Sequence, residues 1–196
     1  VGSEMCIRDS GIIGQMMEKV VLPPFRPRRT EEEIRKQMPW ATQGKLAGHK
    51  RNVITSLELD PAIMEENNIR FQAKYRKIEE AEVRYEEIGC ENADYLMIAF
   101  GSMARICLKT QEMALAEGIK VGVLRPITLW PFPSKIIAEY ANKVKGMISV
   151  ELNAGQMVED IRLAVNGKVK VEHFGRLGGI VPTPDEVLNA LKQKLM

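Results

Sequence analysis

The stretch from Asp94 to Pro126, DYLMIAFGSMARICLKTQEMALAEGIKVGVLRP, decides the fold. It opens on a short apolar run, Tyr95 to Phe100, and turns at Gly101-Ser102. Apolar residues at three- and four-residue spacing follow from Met103 to Glu117, and after Gly118 a second apolar run covers Lys120 to Leu124. Short apolar runs bounded by turn residues read as buried strands, and the 3.6-residue period between them reads as a helix. Parallel neighbours need a crossover of this kind, because a hairpin cannot join them. The pattern then repeats: helix over Lys135–Val144, strand over Met147–Val150, helix over Gln156–Val165, strand over Lys168–Phe174 and helix over Pro184–Leu195. The last helix starts with a capping box, Thr183 with Glu186, and has proline at its first position. The expectation is an α/β domain over residues 94–196, a mostly parallel open sheet with flanking helices.

Upstream of Asp94 the texture changes. Asp60-Pro61 is a helix start, and Phe71, Tyr75, Ile78, Ala81, Tyr85 and Ile88 step by three or four, predicting one long one-sided helix ending at Gly89. Such a helix packs on a neighbouring domain or subunit. Residues 25–51 contain prolines, glycines and mixed charge, which reads as linker with one helical turn around Glu31 to Gln37; residues 25–93 together are taken as linker plus docking helix. Ile13, Met16, Met17, Val20 and Val21 predict an amphipathic helix over Ile12 to Leu22, stopped by Pro23-Pro24, so that residues 11–24 read as the final helix of something larger. The first ten residues, VGSEMCIRDS, have no periodicity, begin without methionine and resemble translated sequencing-adapter sequence; they are set aside as non-native.

Composition narrows the function. Of 196 residues, 28 are Lys or Arg and 26 Asp or Glu, a net charge of +2, split as 15 against 16 over residues 1–93 and 13 against 10 over residues 94–196. Neither part has the basic excess that captures a polyanion, so nucleic acid is not expected as a partner. Three cysteines without close spacing make neither a disulfide framework nor the four-thiolate set of an iron–sulfur cluster, and imply a reducing compartment. No run approaches the roughly 18 to 20 apolar residues of a bilayer span, so no membrane is expected and the cytoplasm is the expected location.

In an open α/β sheet, ligands gather at the carboxyl ends of the strands. Four loops fall there. Gly101 to Arg105 is either a tight turn or a helix N-terminus suited to an anion. Arg125 to Pro133 has three prolines and two aromatics in nine residues, so Trp130 and its neighbours either plug the core or dock on another surface; Arg125 is a salt-bridge partner or an anion ligand. Glu151, Asn153 and Gln156 follow a buried strand directly, which suits hydrogen bonds to a ligand or across an interface, with Asn153 also able to cap the next helix. Arg176 sits in a glycine-rich turn. These six residues are the candidates for a cleft or interface. No HExxH, paired-Cys, GxSxG or GxGxxG pattern occurs, His49 and His173 stand alone, and Cys90 and Cys107 read as core residues. The chain therefore carries no self-contained catalytic or metal site.

The ordered segments IGQMMEKVVLP, PWATQG, RNVITSLELDP, QAKYRKIEEAEVRYEE, YLMIAFGSMARI, GVLRPITLWPFP, VELNAGQMVEDIRLAV and FGRLGGIVPTP resemble the alpha subunit of 2-oxoacid:ferredoxin oxidoreductases, with most similarity to the branched-chain, 2-ketoisovalerate group. The resemblance implies a thiamine diphosphate enzyme that decarboxylates a 2-oxoacid oxidatively, reduces ferredoxin and forms an acyl-CoA. It implies a transketolase C-terminal-like domain here. Thiamine diphosphate and Mg²⁺ would be held mainly by an absent pyrimidine-binding domain and a beta subunit, and iron–sulfur clusters by other subunits, with none of these bound by this chain alone. The implied partners are beta, gamma and ferredoxin-like subunits, ferredoxin, the 2-oxoacid and CoA. Two alternatives stand beside it: a 2-oxoacid dehydrogenase or transketolase-type enzyme, and an interaction domain without activity.

Overall fold

The computed structural model describes residues 22–41, 50, 52–53 and 55–196, and these fall into two compact units, 22–74 and 75–196. The helix expected over residues 12–22 lies outside the described residues except for Leu22, as do the first ten residues and His49.

In the first unit, helix α1 (Glu31–Gln37) coincides with the expected helical turn. Its start is a capping box: the Glu33 N–H donates to Thr30 Oγ1 at 3.2 Å, and the Thr30 N–H donates to Glu33 Oε2 at 2.8 Å. Helix α2 (Pro61–Ala81), whose residues 75–81 belong to the second unit, begins as Asp60-Pro61 predicted, with Asp60 Oδ1 accepting from the Ala62 N–H at 2.9 Å, and it buries none of its residues.

The second unit corrects the length of that helix. α2 stops at Ala81, and Tyr85–Ile88 form strand β1 instead of the last helical turn. The spacing Ala81, Tyr85, Ile88 fits a helix, but pairing with a sheet outweighs it. β1 runs antiparallel to β3 (Val121–Pro126), with Tyr85 opposite Pro126 and Ile88 opposite Val123. The remaining strands, β2 (Tyr95–Ile98), β4 (Gly146–Glu151) and β5 (Lys170–Gly175), join β3 in one parallel array, and the sheet order is β1-β3-β2-β4-β5. A mostly parallel sheet is what the alternation of runs and helices predicted.

Side chains alternate across this sheet with the two-residue period of a strand. Met97, Ala99, Val123, Ile148 and Val150 point to one face, where α3 (Gly101–Ala116) and α6 (Pro184–Leu195) close the core with Met103, Cys107, Val187 and Leu191. Leu96, Ile98, Leu124 and Met147 point to the other, covered by α4 (Ser134–Tyr140) and α5 (Met157–Val165) through Ile137, Tyr140, Met157 and Ile161. α4 is shorter than the expected Lys135–Val144, ending in turn residues after Tyr140.

The chain order fixes where a crevice opens. From β2 the chain moves outward to β3, then crosses back over β2 to β4 and continues to β5. Strand order therefore reverses between β2 and β4, and the loops beyond their carboxyl ends diverge to opposite faces, leaving a gap at the topological switch point.

Candidate functional site at the switch point

A cavity of about 260 Å³ occupies that gap. Phe100 follows β2, Leu129 and Phe132 come from the loop after β3, and Met157 opens α5; these four form its apolar walls. Its polar groups are Asn153, Gln156 and Asp160, with Glu151 at the end of β4 beneath them.

Glu151 organises this region. Its side chain is 0% exposed, and an unpaired buried carboxylate is costly, so both oxygens are engaged. Oε1 accepts from Ser149 Oγ at 2.7 Å and the Val158 N–H at 3.0 Å, while Oε2 accepts from Asn153 Nδ2 at 2.9 Å, the Met157 N–H at 2.9 Å and the Gln156 N–H at 3.2 Å. Two of these donors, Met157 and Val158, are the first backbone N–H groups of α5, which have no partner within their own helix, and the third is its N-cap residue Gln156. A strand-end carboxylate thus caps the next helix, at the end where the helix dipole favours negative charge. Burial by itself pushes the carboxyl up; His173, Ser149, the Met157 N–H and Asn153 outweigh it and pull the pKa down to about 2. His173 acts through proximity, since its Nδ1 lies 3.5 Å from Oε1, long for a hydrogen bond, and has no other partner among the described residues.

The expected cap from Asn153 is therefore a correction. Asn153 Oδ1 instead accepts from the Gly155 N–H at 2.7 Å, closing a local turn, and its amide donates to Glu151. Glu151 borders the cavity, but its oxygens are saturated from within. Gln156 is exposed and gives its backbone N–H to Glu151. Neighbouring β5 supplies His173, set opposite Ser149 in the strand register. Sequence reading passed over this histidine because only strand register reveals its neighbour.

The other candidates lie apart from the cavity. Arg125 pairs with Glu86 of β1 at 2.8 Å on a half-exposed surface, the salt-bridge reading. Arg176 places Nη2 3.5 Å from Glu186 Oε1, and its Nε is buried without a partner among the described residues. The loop holding Trp130 divides the two fates expected of it. Leu129 and Phe132 pack into the core beneath α4 and α5, whereas Ile127 is 48% and Trp130 56% exposed. Thr128 staples the loop, accepting from the Arg84 N–H at 3.0 Å and donating to the Pro131 carbonyl at 2.9 Å. Trp130 meets Tyr75 edge to face, ring centroids 5.6 Å apart. Because its exposed ring contributes little beyond this pair, Trp130→Ala is expected to cost the isolated chain about 1 kcal/mol in urea unfolding. Loss of folding would assign the ring to the core.

A larger cavity, about 810 Å³, lies at the amino ends of β2 and β3, lined by Cys90, Glu91, Gln111, Leu115 and Lys120 among others. It is on the wrong side of a parallel sheet for a ligand, and its polar groups serve the fold: Tyr140 donates to Glu87, and Gln111 Nε2 ties the Ile88 and Val121 carbonyls at 2.8 and 2.9 Å.

The cofactors implied by resemblance make specific chemical demands. Among the described residues no three His, Cys, Asp or Glu side chains come together as a metal-ligand group. Burial pushes the Cys90 thiol up to about 11 and the Cys107 thiol higher still, so neither offers a thiolate. Among the described residues the switch-point cavity has no cation along its walls for a diphosphate. The described residues fit neither an iron–sulfur cluster nor a magnesium diphosphate.

A doubly wound sheet with a switch-point crevice is the frame of many cofactor enzymes, and the comparisons give this one a place. Residues 93–187 match the family described as pyruvate:ferredoxin oxidoreductase core domain II. The chain is 43% identical to the ketoisovalerate oxidoreductase subunit VorB of Methanothermobacter thermautotrophicus over 182 residues, 93% of this chain and 50% of that protein. It is 34% identical to the 2-oxoglutarate synthase subunit KorA of Methanothermobacter marburgensis over 101 residues, 52% of this chain and 27% of that one. Among solved structures, a 2-oxoglutarate:ferredoxin oxidoreductase from Magnetococcus marinus, with 2-oxoglutarate, coenzyme A and succinyl-CoA bound, superposes with a TM-score of 0.61 at 26% identity, covering 71% of this chain and 24% of that one. A split-gene transketolase, an inactive beta4 tetramer, shares the fold alone, with a TM-score of 0.50 at 20% identity over 57% of this chain and 41% of that one.

The chain belongs to the 2-oxoacid:ferredoxin oxidoreductase family. It spans about half the length of the curated relatives with which it shares most of its own length. No described helix is long and apolar enough to cross a membrane.

Proposed function

We propose that the chain forms part of an alpha-type subunit of a cytoplasmic, multi-subunit, thiamine diphosphate-dependent oxidoreductase. The complex decarboxylates a branched-chain 2-oxoacid, forms the acyl-CoA and passes two electrons through iron–sulfur clusters to ferredoxin. The observation that carries this reading is the 43% identity to a ketoisovalerate oxidoreductase subunit across 93% of the chain. Residues 94–196 serve as the transketolase-like domain, joined by β1, and residues 25–93 connect and dock it. Within the complex this chain supplies assembly surface and the border of a cleft, while beta, gamma and ferredoxin-like subunits hold the thiamine diphosphate, magnesium and clusters.

Co-expression with the neighbouring subunit genes, followed by an assay of viologen-dye reduction, tests the reading. Dye reduction dependent on both 3-methyl-2-oxobutanoate and CoA is the expected result. Activity with 2-oxoglutarate alone would move the substrate, NAD and lipoyl-protein dependence would move the enzyme to the 2-oxoacid dehydrogenases, and no activity with any 2-oxoacid would sink the proposal.

A second reading, that this chain by itself acts only as an interaction module, is supported by the saturation of Glu151 and by the exposed Ile127 and Trp130. Titration calorimetry of the chain with thiamine diphosphate and Mg²⁺ is expected to show no binding. A micromolar Kd, about −8 kcal/mol, would place the cofactor site here instead.

A further inference from the structure

The switch-point cavity has a charge character that the proposed substrates and cofactors do not match. Its apolar walls carry two phenylalanines, and among the described residues no Lys or Arg lines it. Among the described lining residues the ionisable groups are carboxyls: Glu151, already saturated, and Asp160 on the first turns of α5. Asp160 has no ion pair among the described residues; the nearest basic residue in its helix, Arg162, is held by Glu159 at 2.5 Å. A 2-oxoacid carboxylate or a diphosphate would enter this space against negative charge and without a donor cation. A cation with an apolar stem and a flat head suits it, since guanidinium groups stack on aromatic rings and pair with carboxylates in bidentate fashion.

The surroundings point to a polypeptide as the source. At about 260 Å³ the space is smaller than the roughly 300 to 1,000 Å³ of whole small-molecule sites. The loop that supplies two of its walls, Leu129 and Phe132, also turns Ile127 and Trp130 outward, setting an exposed apolar rim beside the pocket. A small apolar-walled pocket with Asp160 exposed at its mouth and an apolar rim beside it resembles the arrangement of an interface hot spot.

We propose that this crevice is the anchor pocket for an arginine side chain presented by a partner subunit of the same complex. The Asp160 carboxyl supports it: burial first, then the charges of Glu151 and Glu159, push it up, which is the field a bound cation would relieve. The inference rests on the reading of this chain as an assembly subunit and specifies the contact.

Two measurements decide it. The ¹⁵N-labelled chain is titrated with N-acetylarginine methylamide and with its neutral isostere, N-acetylcitrulline methylamide. Saturable shifts at the Asn153, Gln156 and Met157 amides are expected, at least tenfold weaker for citrulline, and at least tenfold weaker for arginine in the Asp160→Asn variant at an unchanged thermal midpoint. Equal binding of the two probes, undiminished binding to Asp160→Asn, or no saturable shifts at these amides would overturn the pocket. In the co-expressed complex, Asp160→Arg is expected to release the chain from its partners. A wild-type chain that never co-purifies with the other subunits would sink the assembly reading, and with it the partner named here. Assembly that survives Asp160→Arg would sink the anchor pocket and leave the assembly reading standing.

Discussion

Replacing Glu151 by alanine is expected to remove about 3 kcal/mol of stability, enough to unfold a marginal domain. The substitution leaves the Met157 and Val158 N–H groups and the Ser149 hydroxyl buried without their acceptor, and each unsatisfied donor costs about 1 to 3 kcal/mol. The pH dependence has a definite sign. The carboxyl titrates at about 2 in the folded chain against 4.5 for the free group, so the unfolded chain takes up the proton first. Its contribution is complete above about pH 4.5 and is lost as pH falls towards 2, a difference of about 3 kcal/mol. Urea unfolding at pH 7 and at pH 3 checks both statements. Glu151→Gln should be less stable at pH 7 and should lose less on acidification than the wild type. Identical pH profiles for the two chains would show that another group carries the acid sensitivity.

Gly175→Ala should be nearly as damaging, for a reason of space. A Cβ at this position would lie 2.1 Å from the Asn153 backbone oxygen and 2.7 Å from His173 Nε2. A backbone atom cannot swing aside as a flexible side chain does, so the cost falls at the upper end of overpacking, about 3 kcal/mol, or the turn after β4 moves. Gly118→Ala is the control. That position has φ +79° and open space around it, so only conformational strain applies, about 1 to 2 kcal/mol. Equal melting points for the two variants would show that the close approach at Gly175 is not what holds the turn.

Much of this architecture was legible because the two periods of the sequence do not overlap between Asp94 and the C-terminus. Tyr95 to Ile98 is too short and too uniformly apolar for a surface helix, and Met103 to Ala114 is too regularly spaced for a strand. Where the periods coincide, the reading failed: Ala81, Tyr85 and Ile88 satisfy a helical step, and only the partner strand, contributed from residues 121–126, makes Tyr85–Ile88 extended. Capping failed similarly. Asn153 has the right chemistry to start α5, but the cap is a carboxylate at the end of the preceding strand, reaching N–H groups five to seven residues on. Local preference identifies the residue types that cap a helix; it cannot identify a competitor delivered by tertiary structure. The cavity itself was legible only as a location, the carboxyl ends of the strands, because its acidic character depends on Asp160 facing the same space as Phe100 and Phe132.

The antiparallel strand β1 carries a consequence for how this molecule associates. It is four residues long and lies at one margin of the sheet, with Tyr85, Glu86 and Glu87 all exposed. A margin so short and so acidic is a poor template for another chain's backbone, and natural proteins blunt their edges in this way. Strand-by-strand polymerisation is thereby discouraged on that flank. On that flank association is left to side chains rather than to main-chain hydrogen bonds.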